Sequence, residues 1–295
     1  MKQKHLAIDI GGTNLKYGLF DLKGNLIQKH TQPTASLSLE DFVKQVRQLV
    51  DTFKAEIAGI GFSVPGTVDN HGVIHKGGSL PFLDGLDFAQ TIRVDLPIVV
   101  ENDGKAAALA EAWQGNLAQV PAGVALILGT AVGGGIILNQ QLFQGSHQQA
   151  GEFSFMAGQS KNMPQEDIAG NYGSAVEMIA QIAKRLGLTN DGKVVFDAIE
   201  AGNPIAKKIF DNYCYDIATI INNIQCVLDV PRFVIGGGIS ARASVTENIN
   251  QQYDQLVAHN PAIGIALQKP EIMSSKFHND ANLYGAIFQL QQFHR

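Results

Sequence analysis

The sequence predicts an α/β protein of two domains built on a duplicated plan. A strand-like run at residues 6–10 enters a Gly-Gly-Thr turn and returns as a strand at 17–20. The same arrangement recurs at 124–138: buried strand, Gly-Thr turn, three glycines, strand. The chain has 295 residues, 45% of them hydrophobic, which suffices for two cores.

The elements follow in order. Asp21 to Asn25 is a turn, with Gly24-Asn25 as its hairpin signal, and Leu26-Ile27 begins a third strand, making an antiparallel meander. Ser38 with Asp41 three residues on is an N-cap pattern. Phe42, Val46, Leu49, Val50 and Phe53 then recur at helical spacing. Residues 57–62 and 97–100 read as buried strands, and 106–113 as a helix. After the second unit the chain reads as mostly helical. Asn203-Pro204 opens a helix whose apolar face runs to Leu228. A buried strand at 232–235 enters Gly236-Gly237-Gly238, and 282–292 reads as a closing helix.

Charged residues are 17% of the chain and the net charge is −5. No basic stripe is present, which argues against nucleic acid or anionic membrane as a partner. The first apolar run is broken by Asp9, so it is no signal-peptide core, and no apolar stretch is long enough to span a bilayer. Cys214 and Cys226 fall in one predicted helix, roughly 18 Å apart at 1.5 Å per residue, too far to bridge. A cytoplasmic location is expected, with both thiols as small apolar filler.

Five constellations carry the chemistry. In Asp9-Ile10-Gly11-Gly12-Thr13 a strand ends in a carboxylate and two glycines open the backbone to a polyanion. Asp9 suits a hydrated Mg²⁺ beside phosphates. The same residues would also make an ordinary hairpin turn with a buried Asp. Leu128-Gly129-Thr130 to Gly133-Gly134-Gly135 is a second backbone cradle for phosphate, neither a Walker A loop nor a Rossmann fingerprint. Gly236-Gly237-Gly238-Ile239-Ser240 is a third turn, where a base or ribose could lie against the backbone. Glu101-Asn102-Asp103 offers a general base and a hydroxyl ligand, or simply a helix cap. Glu152, after Gly151, suits a sugar hydroxyl, or a solvated loop.

Together these residues resemble the ROK family of sugar kinases and related proteins. Ser63-Val64-Pro65-Gly66, Ala106-Ala107-Ala108 and Leu283-Tyr284-Gly285-Ala286 extend the match over most of the chain. The resemblance implies two actin-like ATPase (ribonuclease H-like) domains around a central cleft. These are residues 1–115, joined by a C-terminal helix at about 282–295, and 116–281. It implies ATP-dependent, Mg²⁺-assisted phosphorylation of a hexose or hexoside at the 6-hydroxyl, and a homodimer. By position Asp103 is the expected base, of ordinary pKa. Gly66, Asn102 and Glu152 are expected at the sugar. Gly11, Gly12, Thr13, Thr130, Gly133 and Gly134 are expected at the phosphates, and Gly237 and Gly238 near the nucleoside.

Departures from the family pattern bear on the sugar. Many members carry a His where Phe155 stands, followed by a zinc-binding cysteine cluster and a second sugar-binding Glu. No cysteine precedes Cys214, so that zinc site is absent; Glu177 and Glu166 are the candidates for the second Glu. A more apolar pocket, open to a substituted sugar such as a disaccharide glucoside, is expected. Glucose, fructose, mannose, N-acetylmannosamine and β-glucosides all stay open. The alternative activity is a non-catalytic sugar sensor; a DNA-binding regulator is disfavoured because Asp9 lies so near the start.

Overall fold

The computed structural model describes residues 3–158 and 168–293. Two five-stranded sheets share one topology. In the first, β1 (Lys4–Ile10), β2 (Asn14–Asp21) and β3 (Leu26–Pro33) form the antiparallel meander. β4 (Ile57–Val64) and β7 (Ile98–Asn102) extend it in parallel, in the order β3-β2-β1-β4-β7. A small hairpin, β5 (Thr67–Val68) and β6 (Ile74–His75), lies between them in sequence. The second sheet repeats this with β8 (Ala122–Leu128), β9 (Val132–Leu138), β10 (Gln141–Phe143), β11 (Arg232–Gly236) and β12 (Glu271–Ser274). Its order is β10-β9-β8-β11-β12, antiparallel through the meander and parallel beyond β8. The duplication legible in the two Gly-Thr turns therefore extends to whole sheets.

β12 had no sequence expectation. It is four residues long with Ile272 alone buried, too short for an alternating pattern to register. β1 and β4, by contrast, are central strands covered on both faces, and so read as continuous apolar runs.

The helices are α1 (Leu39–Phe53), α2 (Phe88–Ile92), α3 (Asp103–Gln114), α4 (Ala169–Tyr172), α5 (Ala175–Leu186), α6 (Gly192–Glu200), α7 (Pro204–Leu228), α8 (Ala243–His259), α9 (Pro261–Ala266) and α10 (Ala281–Phe293). Ser38 caps α1 as expected: its Oγ accepts the Asp41 N–H at 3.1 Å and donates to the Asp41 carboxylate at 2.7 Å. The Asn203 side chain accepts from Ile205 and Ala206 at the start of α7, with Pro204 at the first helical position. Both cysteines lie on α7; Cys214 is buried, but Cys226 is exposed, which corrects the expectation of apolar filler there.

Each sheet has its own core. Leu6, Ile8, Phe42, Phe62 and Phe88 belong to the first, and Val124, Leu126, Ile217, Ile221 and Phe233 to the second. Between the sheets lie α3 and α10. Residues 104–112 of α3 are all buried, as fits a helix that is apolar nearly all round. One side of α3 meets β9 and the other meets α10, which covers β1 and β4. Small side chains make this possible: Ala107, Ala110 and Ala281 form one cluster. A Cβ at Gly285 would overlap the carbonyl oxygen of Ala106, and one at Gly61 would overlap that of Ala286.

Gly285→Ala should therefore cost about 1–3 kcal/mol through forced separation of α3 and α10. Urea unfolding would measure it; an unchanged midpoint would mean that the two helices part without cost.

Candidate active site

β7 ends at Asn102, whose side-chain oxygen accepts the Lys105 N–H at 3.1 Å and so caps α3. Asp103 is then the first helical residue. Its Oδ1 accepts the Gly104 N–H at 2.7 Å and Asn102 Nδ2 at 3.0 Å. No donor among the described residues reaches Oδ2. Asn102 Nδ2 also donates to the Gly66 carbonyl at 2.9 Å. Gly66 stands at φ +90, with a Cβ position 2.7 Å from the His75 carbonyl oxygen, so a side chain is excluded twice over. Asn102 thus caps the helix and also ties it to the Gly66 loop.

The N-terminus of α3 is pressed onto β9. A Cβ at Gly104 would lie 2.6 Å from the Gly134 nitrogen. Gly151, at φ +88, closes on the same place: its Cβ would be 3.0 Å from the Gly134 oxygen. Glu152 follows directly, so this junction of three backbones sets Asp103 and Glu152 near each other. Gly134 and Gly135 are consequently buried beneath α3, whereas Gly133 keeps ordinary room. The glycine run expected to cradle phosphate is in large part a packing surface.

The Asp103 carboxylate is accessible to water yet surrounded by protein in its recess. That confinement raises its pKa to about 6, and the charges of Asp9 and Glu152 push the same way. The Gly104 N–H and Asn102 oppose the rise. A carboxylate of ordinary pKa would suffice for the base; this one stands above that range. Glu152 is also raised by burial, while Lys105 and Lys76 pull it down.

Lys105 carries no sequence signal of a buried role, because a lysine in a helical run normally reaches water. Here it is 1% exposed, and its Nζ donates to the carbonyl of Gln148. Burial lowers its pKa, opposed by Glu101 and Glu152. Glu101 is buried and raised to about 7 by desolvation, opposed by the Asn102 N–H and Lys105.

Asp9 is 6% exposed and closely held. Its Oδ1 accepts from Ser63 Oγ at 3.0 Å and Asn282 Nδ2 at 2.9 Å, and its Oδ2 from Lys16 Nζ at 3.2 Å. Lys16 is its cross-strand partner, so hairpin register could have found it. Ser63 and Asn282 come from β4 and α10, and nothing local pointed to Asn282. The first turn is braced from behind: Thr34 Oγ1 donates to the Gly11 carbonyl at 2.7 Å, and the Thr34 N–H to that of Thr13 at 2.9 Å. Gly12 faces Ser79, and Thr13 is exposed.

Thr130 is exposed at the second turn, and Gly129 has open space where a Cβ would be. A Cβ at Gly237 would overlap the Leu128 carbonyl, so the third turn abuts the second; Gly238 is exposed and open. Glu177 is exposed on α5, in a recess of ≈ 580 Å³ between α5 and α7. Glu166 lies outside the described residues. A second recess, of ≈ 250 Å³, lies behind β7 and is lined by Glu101, Asp69 and Gln289. Neither recess contains Asp103.

Known proteins match this chain throughout. The model of the ROK family covers residues 5–292. The beta-glucoside kinase of Klebsiella pneumoniae is 29% identical over 303 residues, spanning 99% of this chain and 97% of its own. A ROK family protein from Streptococcus pneumoniae, solved in complex with sucrose, superposes with a TM-score of 0.86 at 26% identity, covering 99% of both chains. A ROK family glucokinase from Streptomyces griseus, solved with glucose and AMPPNP, has a TM-score of 0.79 at 22% identity, covering 96% of this chain and 97% of its own. The fold is the actin-like α/β fold expected from the sequence.

Asp103→Asn should stabilise the protein. A carboxylate whose pKa rises from its ordinary value of 3.8 to about 6 on folding penalises the folded state above about pH 6 and not below about pH 4. The variant should melt higher than wild type at about pH 7.5, with the gap closing as pH falls through that window. Equal melting temperatures at neutral pH would show that the carboxylate is not confined.

Proposed function

The chain belongs to the ROK family, and we propose that, as a sugar kinase of that family, it transfers the γ-phosphoryl group of ATP to the 6-hydroxyl of a hexose or hexoside, with Asp103 as general base. The observation that carries this reading is the Asp103 carboxylate itself. Oδ1 is pinned by two donors, while Oδ2 has none among the described residues. A base needs this combination of fixed orientation and one open oxygen.

In the transfer, the sugar oxygen bonds to the γ-phosphorus, the bond to the β,γ-bridging oxygen breaks, and ADP leaves. The hydroxyl proton passes to Asp103 Oδ2. Asn102 and Glu152 hold neighbouring hydroxyls, and Gly66 lines the loop beside them. Gly11, Gly12 and Thr13 on one side, with Thr130 and Gly133 on the other, present backbone and hydroxyl donors to the phosphates. The expected contact at Gly134 fits less well, since that residue is buried under α3. Gly237 and Gly238 face the nucleoside.

Mg²⁺ would neutralise the phosphate oxygens as charge moves to the leaving group. Asp9 fits such an ion held through water: both its oxygens already accept protein donors, so a hydrated cation suits it better than direct ligation. Lys16 adds a second cation at that end of the cleft. Closure of two halves, residues 1–115 with the C-terminal helix against 116–281, would exclude water from the transfer.

A hexoside is favoured over a bare hexose by Phe155, which is 73% exposed. Its N–H donates to the Glu152 carbonyl at 3.2 Å, one tight turn from the sugar ligand. An aromatic face at that rim suits the apolar side of an aglycone or second sugar. The names of the beta-glucoside kinase relative and the sucrose-bound neighbour agree with this.

An ADP-release assay with Mg-ATP over hexoses, amino sugars and β-glucosides tests the reading. Asp103→Asn should retain sugar binding by calorimetry and lose about 10²–10⁴-fold in kcat. For wild type, kcat should fall as pH drops through about 6, where Asp103 takes up its proton. Sugar binding without turnover in wild type would establish a sensor instead.

A further inference from the structure

We propose that Lys105 is a positioning residue of the sugar site: its buried ammonium, bonded to the Gln148 carbonyl, ties the 148–152 loop that ends in Glu152 to the helix that carries Asp103. This rests on the sugar-kinase reading and assigns a role to a residue outside the reacting groups.

Lys105 is anomalous in its surroundings. It sits in α3 between Gly104 and Ala106 and is among the largest fully buried side chains of the protein. Burial of a cation is unfavourable unless it is paired and hydrogen-bonded. The Gln148 carbonyl supplies the hydrogen bond, and the carboxylates of Glu101 and Glu152 favour the charge from longer range; the three come from different parts of the fold. Glu101 is at the end of β7, Gln148 accepts through its backbone carbonyl, and Glu152 follows the Gly151 turn. One ammonium therefore links the edge of the first sheet, the base-bearing helix and the loop of the second half that carries the proposed sugar ligand.

Backbone contacts hold the loop at a distance but do not set the direction of the Glu152 side chain. Gly151 rests on Gly134 and Gly135, but a glycine contact sets distance, not the direction of the next side chain. Few other charges compete. β8, β9, β10 and α10 contain no titratable side chain apart from Tyr284, which lies in the cluster with Ala107, Ala110 and Phe277. The loop adds only His147, which is exposed, and Asp103 on α3 itself. Lys76 also favours the ionised form of Glu152, but it is solvent-exposed, where its charge is screened. Lys105 is then the larger of the two cationic influences that favour the ionised form of Glu152.

The test is Lys105→Met, assayed on a sugar that wild type phosphorylates. KM for the sugar should rise about tenfold or more, with kcat affected much less, as a charge-assisted contact is lost. The acid limb of kcat/KM should move to higher pH, because Glu152 without that cation protonates more readily. A residue that serves stability alone would move neither. Since Lys105→Met strands Glu101, a second variant, Glu101→Gln with Lys105→Met, removes that buried charge and carries the test even if the single variant does not fold. A raised KM and shifted limb in the double variant support the proposal. Wild-type KM and pH profile there would overturn it, leaving Lys105 as the mere partner of Glu101. Wild-type turnover separates two failures: turnover with unaltered variants overturns this inference alone, and no turnover on any sugar overturns the reading beneath it together with this inference.

Discussion

Three backbones meet with no side chain between them, and the rest of the site depends on that contact. Gly104 at the start of α3 approaches Gly134 in β9 to a distance that no Cβ tolerates, and Gly151 before Glu152 lies tightly against Gly134 as well. A helix from the first half, a strand from the second and the turn that carries Glu152 are thereby held at fixed separation. The cost is conformational freedom lost at the glycines, and van der Waals contact along α3, β9 and α10 offsets it. Because the helix N-terminus is the point of contact, Asp103 is placed by backbone geometry, which deforms far less readily than a chain of side-chain contacts.

Electrostatics follows from this placement. Asp9, Asp103 and Glu152 come from β1, α3 and a loop of the second half, and each disfavours or is disfavoured by a neighbour's charge. Lys16 at Asp9 and Lys105 near Glu152 offset part of that repulsion. Asp103 has no cation beside it among the described residues, so its pKa, raised first by confinement and then by Asp9 and Glu152, stands near the working range of a base. Such a site is maintained at some expense of stability, a common arrangement where charge must be held ready for reaction.

The matching sheets explain why two glycine turns occur in one chain. Each sheet begins with an antiparallel hairpin whose turn lies at the end of the first strand, and α3 and α10 form a shared layer between the sheets. Small residues on both helices keep that layer thin. The symmetry is not complete. The first turn is braced by Thr34 and Ser79, whereas the carbonyl of Gly129 in the second accepts the N–H groups of Ala175 and Val176 from α5.

The sequence by itself determined the α/β class, the meander, the duplicated Gly-Thr turns, the caps of α1 and α7 and the candidacy of Asp103. All of these rest on local periodicity, turn chemistry or motif order, which adjacent residues encode. Tertiary structure alone decided the rest. β12 carries too few residues for a pattern. Lys105 reads as a surface residue until two other segments close over it. Asn282 reaches Asp9 across 273 positions. The pKa of Asp103 could not be read from its neighbours in sequence, because burial and the charges of Asp9 and Glu152 set it. Even the glycine run of β9 was legible only as an absence of side chains. What packs there, the start of α3 against Gly134, is a question of three-dimensional packing, and packing depends on residues far apart in the chain.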